Sequence, residues 1–594
     1  MAAQEAGSEL VQTQSAAVTA TLSVEQLSEI PLNSRNALYA VALLPGVSTT
    51  GGPRGAVING LPNNTVNITI DGVSTGNMLQ STDGFFSMVT PRMDAVEALA
   101  TLGIGLFGLR FSRTTSDFYV ASRSVSPLWN SSAIGGEYLS AASYLGIAGL
   151  ILTYGADMVW FPVGWTAGYL VLLAFVAAPL RRSGAYTLPD FTQMRVQSTA
   201  ARAVASMLVV VIGWLYLMPQ FQGAGLVLHT VTGAPTWVGS VMVAAIVVVN
   251  VVSGGMRSIT FVQAFQYWLK LTALLVPLVF LLHAWSDDGR PTPADAGASA
   301  GWLSPMAADA PGLALYATYS LIVATFLGTM GLPHVVVRFY TNPDGRAARR
   351  TTLLVLALLG VFYLLPTAYG VIGRVYAADL VATGNTDIVV LELPMRMIGG
   401  SLGDLLGALL TAGAFAAFLS TSSGLTMSVA GVLAQGSVGR RVLGPVAGLR
   451  AGAVVGTVFP LVLALASDQI AVASSVGFAF AVAASTFCPL LVLGIWWRRL
   501  TAAGAVAGML AGGIGAGGAV VATIVRGSDD GWLDLLLSRP AAWSVPIAFT
   551  TMVVVSLATQ HRRPSNVART MVRLPARLCP SRSCPGRSRR PART

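Results

Sequence analysis

The chain has 594 residues, 54% of them hydrophobic and only 10% charged, with a mean hydropathy of +0.67. That balance excludes an ordinary water-soluble enzyme and places the chain among polytopic membrane proteins. The net charge of +11 comes almost entirely from arginines that sit between apolar spans, not along one amphipathic face, so it marks cytoplasmic loops and tail and no nucleic-acid footprint. Lys270 is the only lysine, and Cys488, Cys579 and Cys584 have neither CxxC spacing nor a His partner, so free thiols are expected.

Residues 1 to about 97 are mostly polar and differ in composition from the rest. Turn signals at Pro45-Gly46, Gly51-Gly52-Pro53 and Asp71-Gly72, with β-like runs such as Val66–Ile70, predict a small α/β segment. The opening MAAQEAGSELVQTQ lacks a basic start and an apolar core, so no secretory signal is expected. The runs LSEIPLNSRNALYAVALLPGV, AVINGLPNNTVNITIDGV and PRMDAVEA, over roughly residues 20–98, resemble the plug domain of TonB-dependent outer-membrane receptors. Such a plug sits inside a large β-barrel, and no barrel-length run of alternating strands follows. Two readings of the segment stay open: a periplasmic module fused to a transporter, or a fusion without function.

Hydrophobic spans begin at Ala98. The first, roughly 98–109, is shorter than the ~20 residues a crossing helix needs. Twelve more follow at about 131–154, 157–180, 203–228, 235–253, 258–284, 312–338, 351–375, 399–435, 447–466, 470–496, 502–524 and 541–559, thirteen in all. Odd-numbered exits are basic, from Arg110 and Arg113 to Arg498 and Arg499, while even-numbered exits carry Asp157, Asp287, Asp379, Asp468 and Asp529. The positive-inside rule then puts the N-terminus outside and the basic C-terminus in the cytoplasm of a bacterial-type inner membrane. The Pro-, Ser- and Arg-rich end, residues 561–594, is expected to be a disordered cytoplasmic tail.

Three spans are more polar than packing requires. Asn130 to Gly155 contains Gly135, Gly136, Glu137, Tyr138, Ser140 and Ser143, and a helix that breaks there exposes carbonyls which only a buried cavity tolerates. In the seventh span, FLGTMGLPHVVVRFYTNP, Gly328, Gly331 and Pro333 interrupt a helix beside Thr329 and His334. The ninth carries Ser420, Thr421, Ser422 and Ser423 in succession; Ser420 and Thr421 are expected to face one cavity while the others bond carbonyls one turn earlier. Neutral carbonyl and hydroxyl oxygens suit a small hard monovalent cation such as sodium, although small-residue helix packing explains the Ser/Thr run equally well.

Six motifs occur in order: RTTSDFYVASRSVSP, GGEYLSAASYLG, YTLPDF, GGMRSITFVQAFQ, GLPHVVVRFYT and LSTSSGLT. Over residues from about 100 to 573 they resemble the sodium:solute symporter family, and within it the cation/acetate branch. The resemblance implies an all-α LeuT-type core of two inverted five-helix repeats, with no cofactor beyond sodium as coupling ion. Carried over by position, it implies sodium ligands at the carbonyls of Gly136, Leu139 and Ala417 and the hydroxyls of Ser420 and Thr421. Substrate contacts are expected from Tyr138, Ser140, Ser143, Thr329 and His334, with Gln220 and Gln222 further out and half-helix N-termini facing an anion. His334 is read equally as a backbone cap, Glu137 as paired with another helix, and Arg338 and Lys270 as snorkelling to the interface.

The function expected is sodium-coupled symport of a small monocarboxylate such as acetate by alternating access. Proline, another amino acid or a longer organic acid is the alternative within transport; a sensor, or a non-functional fusion, is the alternative outside it. No phosphate-binding loop, nucleophile triad or metal cluster is evident, and GGPRG and GAGG read as turn or membrane glycines, so an enzyme is not expected.

Overall fold

The computed structural model describes residues 125–305, 311–435, 445–467, 472–526, 531–565 and 567–574, together with four short strands near the N-terminus. The first predicted span, its arginines and the chain beyond residue 574 lie outside the described residues. By compactness the chain divides into two units, Met1–Val96 and Glu97–Thr594. In the first, β1 (Val47–Ser48) pairs antiparallel with β2 (Val57–Ile58), and β3 (Thr69–Ile70) with β4 (Val73–Ser74). The second pairing sets Ile70 opposite Val73 on either side of the Asp-Gly hairpin signal.

In the second unit the described residues are helical wherever the sequence is continuously apolar, because backbone groups within a bilayer are satisfied only inside the helix. Among the described residues, eleven stretches are long and apolar enough to cross a membrane. The helices used below are α1 (Pro127–Tyr138), α2 (Ile147–Tyr154), α3 (Trp160–Val171), α4 (Ala177–Ser183), α5 (Leu188–Val196) and α6 (Thr199–Thr232). They continue with α7 (Thr236–Ser253) and α8 (Ser258–Asp287). Next come α9 (Pro311–Gly331), α10 (Pro333–Val337), α11 (Gly345–Tyr376), α12 (Val389–Met397) and α13 (Gly400–Ala434). The last are α14 (Pro445–Ala466), α15 (Val472–Trp496), α16 (Ala502–Arg526), α17 (Ala541–Ala558) and α18 (Val567–Arg573). Between α7 and α8 the chain turns through Gly255 at φ 58°, ψ −171°, a conformation that costs glycine little and other residues much.

Helices α1, α8 and α13 pack on one another, and α9 packs on both α3 and α15. Two close approaches depend on the absence of a side chain. A Cβ at Gly136 would lie 2.0 Å from the Gln263 carbonyl oxygen of α8, and one at Gly331 2.3 Å from that of Ala483 on α15. Part of the stretch expected to be tail is ordered instead: α18 is helical, and the buried Leu574 carbonyl accepts from Arg182 Nη1 at 3.0 Å.

Candidate functional site

Two helix interruptions face each other at the centre of the bundle. The first follows Tyr138, where Leu139 (φ −76°, ψ 83°) leaves the helical region before a π-turn at Ala142–Gly146. The amides that would normally satisfy the last carbonyls of α1 are diverted: Ser140 N–H donates to the Tyr138 carbonyl (2.9 Å) and Ala141 N–H to Gln220 Oε1 (3.1 Å). The carbonyls of Gly136 and Glu137 therefore lose their intrahelical donors.

Side chains from two other helices replace those donors. Thr421 Oγ1 of α13 donates to the Glu137 carbonyl at 2.7 Å. Lys270 Nζ of α8 donates to the carbonyls of Gly136 (2.5 Å) and Leu139 (2.7 Å) and to Ser420 Oγ (3.0 Å). Ser420 Oγ in turn donates to the Ala417 carbonyl at 3.2 Å. Three of the five expected sodium ligands, the Gly136 and Leu139 carbonyls and Ser420 Oγ, thus meet at one point, which the ammonium of Lys270 holds, while Thr421 Oγ1 is engaged with the Glu137 carbonyl and the Ala417 carbonyl with Ser420. Sodium within bonding distance of the same three oxygens would touch Nζ and set two positive charges in contact, so the residues do not fit sodium while Lys270 is in place.

Beside this cradle, Arg338 Nε donates to Glu137 Oε2 at 2.5 Å, with both side chains almost completely buried. The same guanidinium bonds Thr260 Oγ1 (2.8 Å) and Gln263 Oε1, while Gln263 Nε2 reaches the Ser420 carbonyl at 2.7 Å. Arg338 and Lys270 therefore do not snorkel, as their positions in the spans had suggested. Each finds enough oxygen acceptors inside the bundle to offset the cost of burial.

The second interruption lies at Leu332 (φ −68°, ψ 119°), between α9 and Pro333 at the start of α10. Helix α10 is only five residues long and runs into a 3-10 turn, so it supplies little of the dipole expected of a half-helix. What gathers here is aromatic. The Phe480 ring lies 6.2 Å from Tyr138, 5.5 Å from Trp165 and 6.0 Å from Tyr216, centroid to centroid. Tyr216 also lies 5.3 Å from the His334 ring. The Tyr138 and Thr329 hydroxyls share a hydrogen bond at 2.8 Å, those of Ser143 and Tyr363 one at 2.9 Å, and Ser140 lies against Tyr216.

The expected substrate residues Tyr138, Ser140, Ser143, Thr329 and His334 are therefore brought around one aromatic cluster, all buried. Both ring nitrogens of His334 lack a partner among the described residues, as do Gln220 Nε2, Tyr169 Oη and Trp165 Nε1. His334 does not cap the backbone. Gln222 points elsewhere and bonds Ala464 and Ser467 at the end of α14. In the Ser/Thr run it is Ser420 that bonds a carbonyl one turn back, whereas the Ser422 and Ser423 hydroxyls have no partner among the described residues. Sequence reasoning missed Trp165, Tyr216 and Phe480, which look like ordinary core. It also missed Thr260 and Gln263, although Thr260, Gln263 and Gln266 recur at helical spacing on the face of α8 that leads to Lys270.

Paired helix breaks, braced by buried ionic groups inside an all-helical bundle, define a secondary transporter. The chain belongs to the sodium:solute symporter family, whose model matches residues 118–512. It is 33% identical over 430 residues to the uncharacterised symporter YwcA of Bacillus subtilis, covering 70% of this chain and 82% of that protein. It is 32% identical over 494 residues to a monocarboxylic acid transporter of Corynebacterium glutamicum, covering 74% and 86%. Among solved structures it is similar to a Na+-coupled sialic acid symporter in a substrate-bound outward-open state, with a TM-score of 0.58 and 16% identity over 79% of this chain and 96% of that one. It is also similar to a nucleobase-cation-symport-1 family transporter in a closed conformation, with a TM-score of 0.50 and 14% identity over 77% and 98%. At these identities the likeness shows the fold alone. The protein is a membrane transporter of an organic solute, and not an enzyme.

Proposed function

We propose that this symporter carries a small monocarboxylate such as acetate across a bacterial cytoplasmic membrane, by alternating access about the two breaks. The observation that carries the reading is the set of unpartnered polar atoms around the aromatic cluster: the His334 ring, Gln220 Nε2, Tyr169 Oη and Trp165 Nε1. An unpaired buried donor costs about 1–3 kcal/mol, and a carboxylate supplies acceptors to several donors at once. The apolar rings suit a short alkyl group. The named function of the relative from Corynebacterium glutamicum supports the same solute class.

Thirteen spans with the N-terminus outside, and Tyr138, Ser140, Ser143, Thr329 and His334 as solute contacts, complete the proposal. Segment 1–97, the plug-like front, is a module that transport does not need. Radiolabelled acetate uptake into proteoliposomes, with propionate, pyruvate and proline as competitors, is the test. Competition by the short carboxylates and not by proline is expected; proline as the stronger competitor would replace the monocarboxylate with an amino acid. Deleting residues 1–95 and supplying a full-length first helix preserves or raises uptake, and a loss would show that the front segment takes part.

A further inference from the structure

We infer that the cation at the first helix break is the ammonium of Lys270, and that the oxygen cradle formed by Gly136, Leu139 and Ser420 takes no sodium ion. The inference deepens the transporter reading by naming what fills its cation position, and it does not depend on which carboxylate is carried.

A lysine ammonium has three N–H donors and no acceptor. Nζ has three oxygens within 3.0 Å, two of them carbonyls that the broken helix leaves without amide donors and the third a hydroxyl whose own proton is given to Ala417. Every donor therefore meets an acceptor, and the cradle offers the same neutral oxygens that would otherwise replace the water of a free monovalent cation. Lys270 is fully buried, twelve residues beyond Ser258 and seventeen before Asp287 in α8 (270 − 258 and 287 − 270), so its position is central and not interfacial. The remaining expected ligands are engaged as well, Thr421 with the Glu137 carbonyl and the Ala417 carbonyl with Ser420. A free ion is released at each turnover, whereas a tethered one holds α1, α8 and α13 together without leaving.

The test uses the full-length transporter reconstituted in lipid nanodiscs, with equilibrium binding of sodium-22 as readout, and acetate uptake in proteoliposomes measured beside it. Two results are expected for the native chain: no saturable sodium binding that Ser420→Ala or Thr421→Ala abolishes, and no rise in melting temperature when sodium replaces choline. Lys270→Ala is expected to gain saturable sodium binding, with a sodium-dependent rise in Tm of a few degrees. Native sodium binding that either hydroxyl substitution removes would overturn the inference. So would a folded Lys270→Ala protein that still binds no sodium, because the cradle would then be no cation site at all. Should Lys270→Ala fail to fold, the native chain and the two hydroxyl variants still decide the matter. Acetate uptake that is absent throughout sinks the carboxylate reading and leaves the binding result standing; sodium binding at the cradle does the reverse.

Discussion

The two helix breaks differ in what completes them. At the first, residues 138–141, the orphaned carbonyls of Gly136 and Leu139 accept from Lys270 and that of Glu137 from Thr421, both on other helices. At the second, around Leu332, the neighbouring His334 is buried with both nitrogens unpartnered and aromatic rings about it. A break whose carbonyls are paired in this way serves the stability of the bundle, although Glu137 Oε1, Ser140 Oγ and Gln220 Nε2 beside it lack a partner among the described residues. One whose polar groups are left unpaired is poised for a ligand, since the energy of pairing them is still to be gained.

The largest effect should come from breaking the ionic brace of the first break. Arg338→Gln leaves the Glu137 carboxylate buried without its counter-ion and costs about 3–5 kcal/mol, whereas the double variant Glu137→Gln/Arg338→Gln recovers much of the loss. Melting followed by fluorescence-detected size exclusion checks this; a double variant no more stable than the single one would show that the two side chains are not coupled. Next come the close approaches. Gly136→Ala and Gly331→Ala each force a methyl group against a carbonyl and should cost about 1–3 kcal/mol, with loss of membrane-inserted protein or of uptake.

The second break should respond in function and not in stability. His334→Leu removes two unpartnered nitrogens, so Tm holds or rises while the KM for acetate climbs about tenfold, equivalent to 1.4 kcal/mol. A fall in Tm with unchanged KM would make His334 structural and erase the contrast between the breaks. Thr421→Val removes one buried hydrogen bond of the first break and should cost about 1 kcal/mol, visible in melting.

The smallest expected effect lies outside both breaks. Asp387, just before α12, is buried with the Val472 amide as its hydrogen-bond donor (3.1 Å), and burial raises its carboxyl above the ordinary carboxylate range. Because the folded value is the higher one, the stability it contributes is full below the unfolded value near 3.8 and declines as pH rises through the folded one. Asp387→Asn should flatten that decline in a melting series beginning near pH 4.

Much of this was legible in order along the chain. Apolar runs of about twenty residues have little choice in a bilayer but to be helical, so the predicted spans at 235–253 and 258–284 correspond closely to α7 and α8. Both breaks were legible too, because Gly135-Gly136 and Gly331 with Pro333 weaken a helix locally, whatever surrounds it. Five candidate oxygens followed from family resemblance, and three of them, at Gly136, Leu139 and Ser420, meet at one point in space.

The occupant of that point was not legible. A lysine within a span has a long, flexible stem, and sequence alone leaves its head free to reach the interface or turn inward. Depth and rotation of α8 against α1 and α13 decide between them, and those are set by side-chain packing and by the clearance at Gly136 over Gln263. The same holds for Arg338, whose partner Glu137 is 201 residues away in the chain, and for Phe480, which becomes the meeting point of three aromatic side chains only once α15 lies against α6 and α9. Local rules of hydrophobicity and helix breaking act within a few turns, so the sequence by itself determined the spans, their interruptions and the kinds of oxygen at them. Which charge meets which oxygen depends on groups far apart in the chain, and only the tertiary structure decided it.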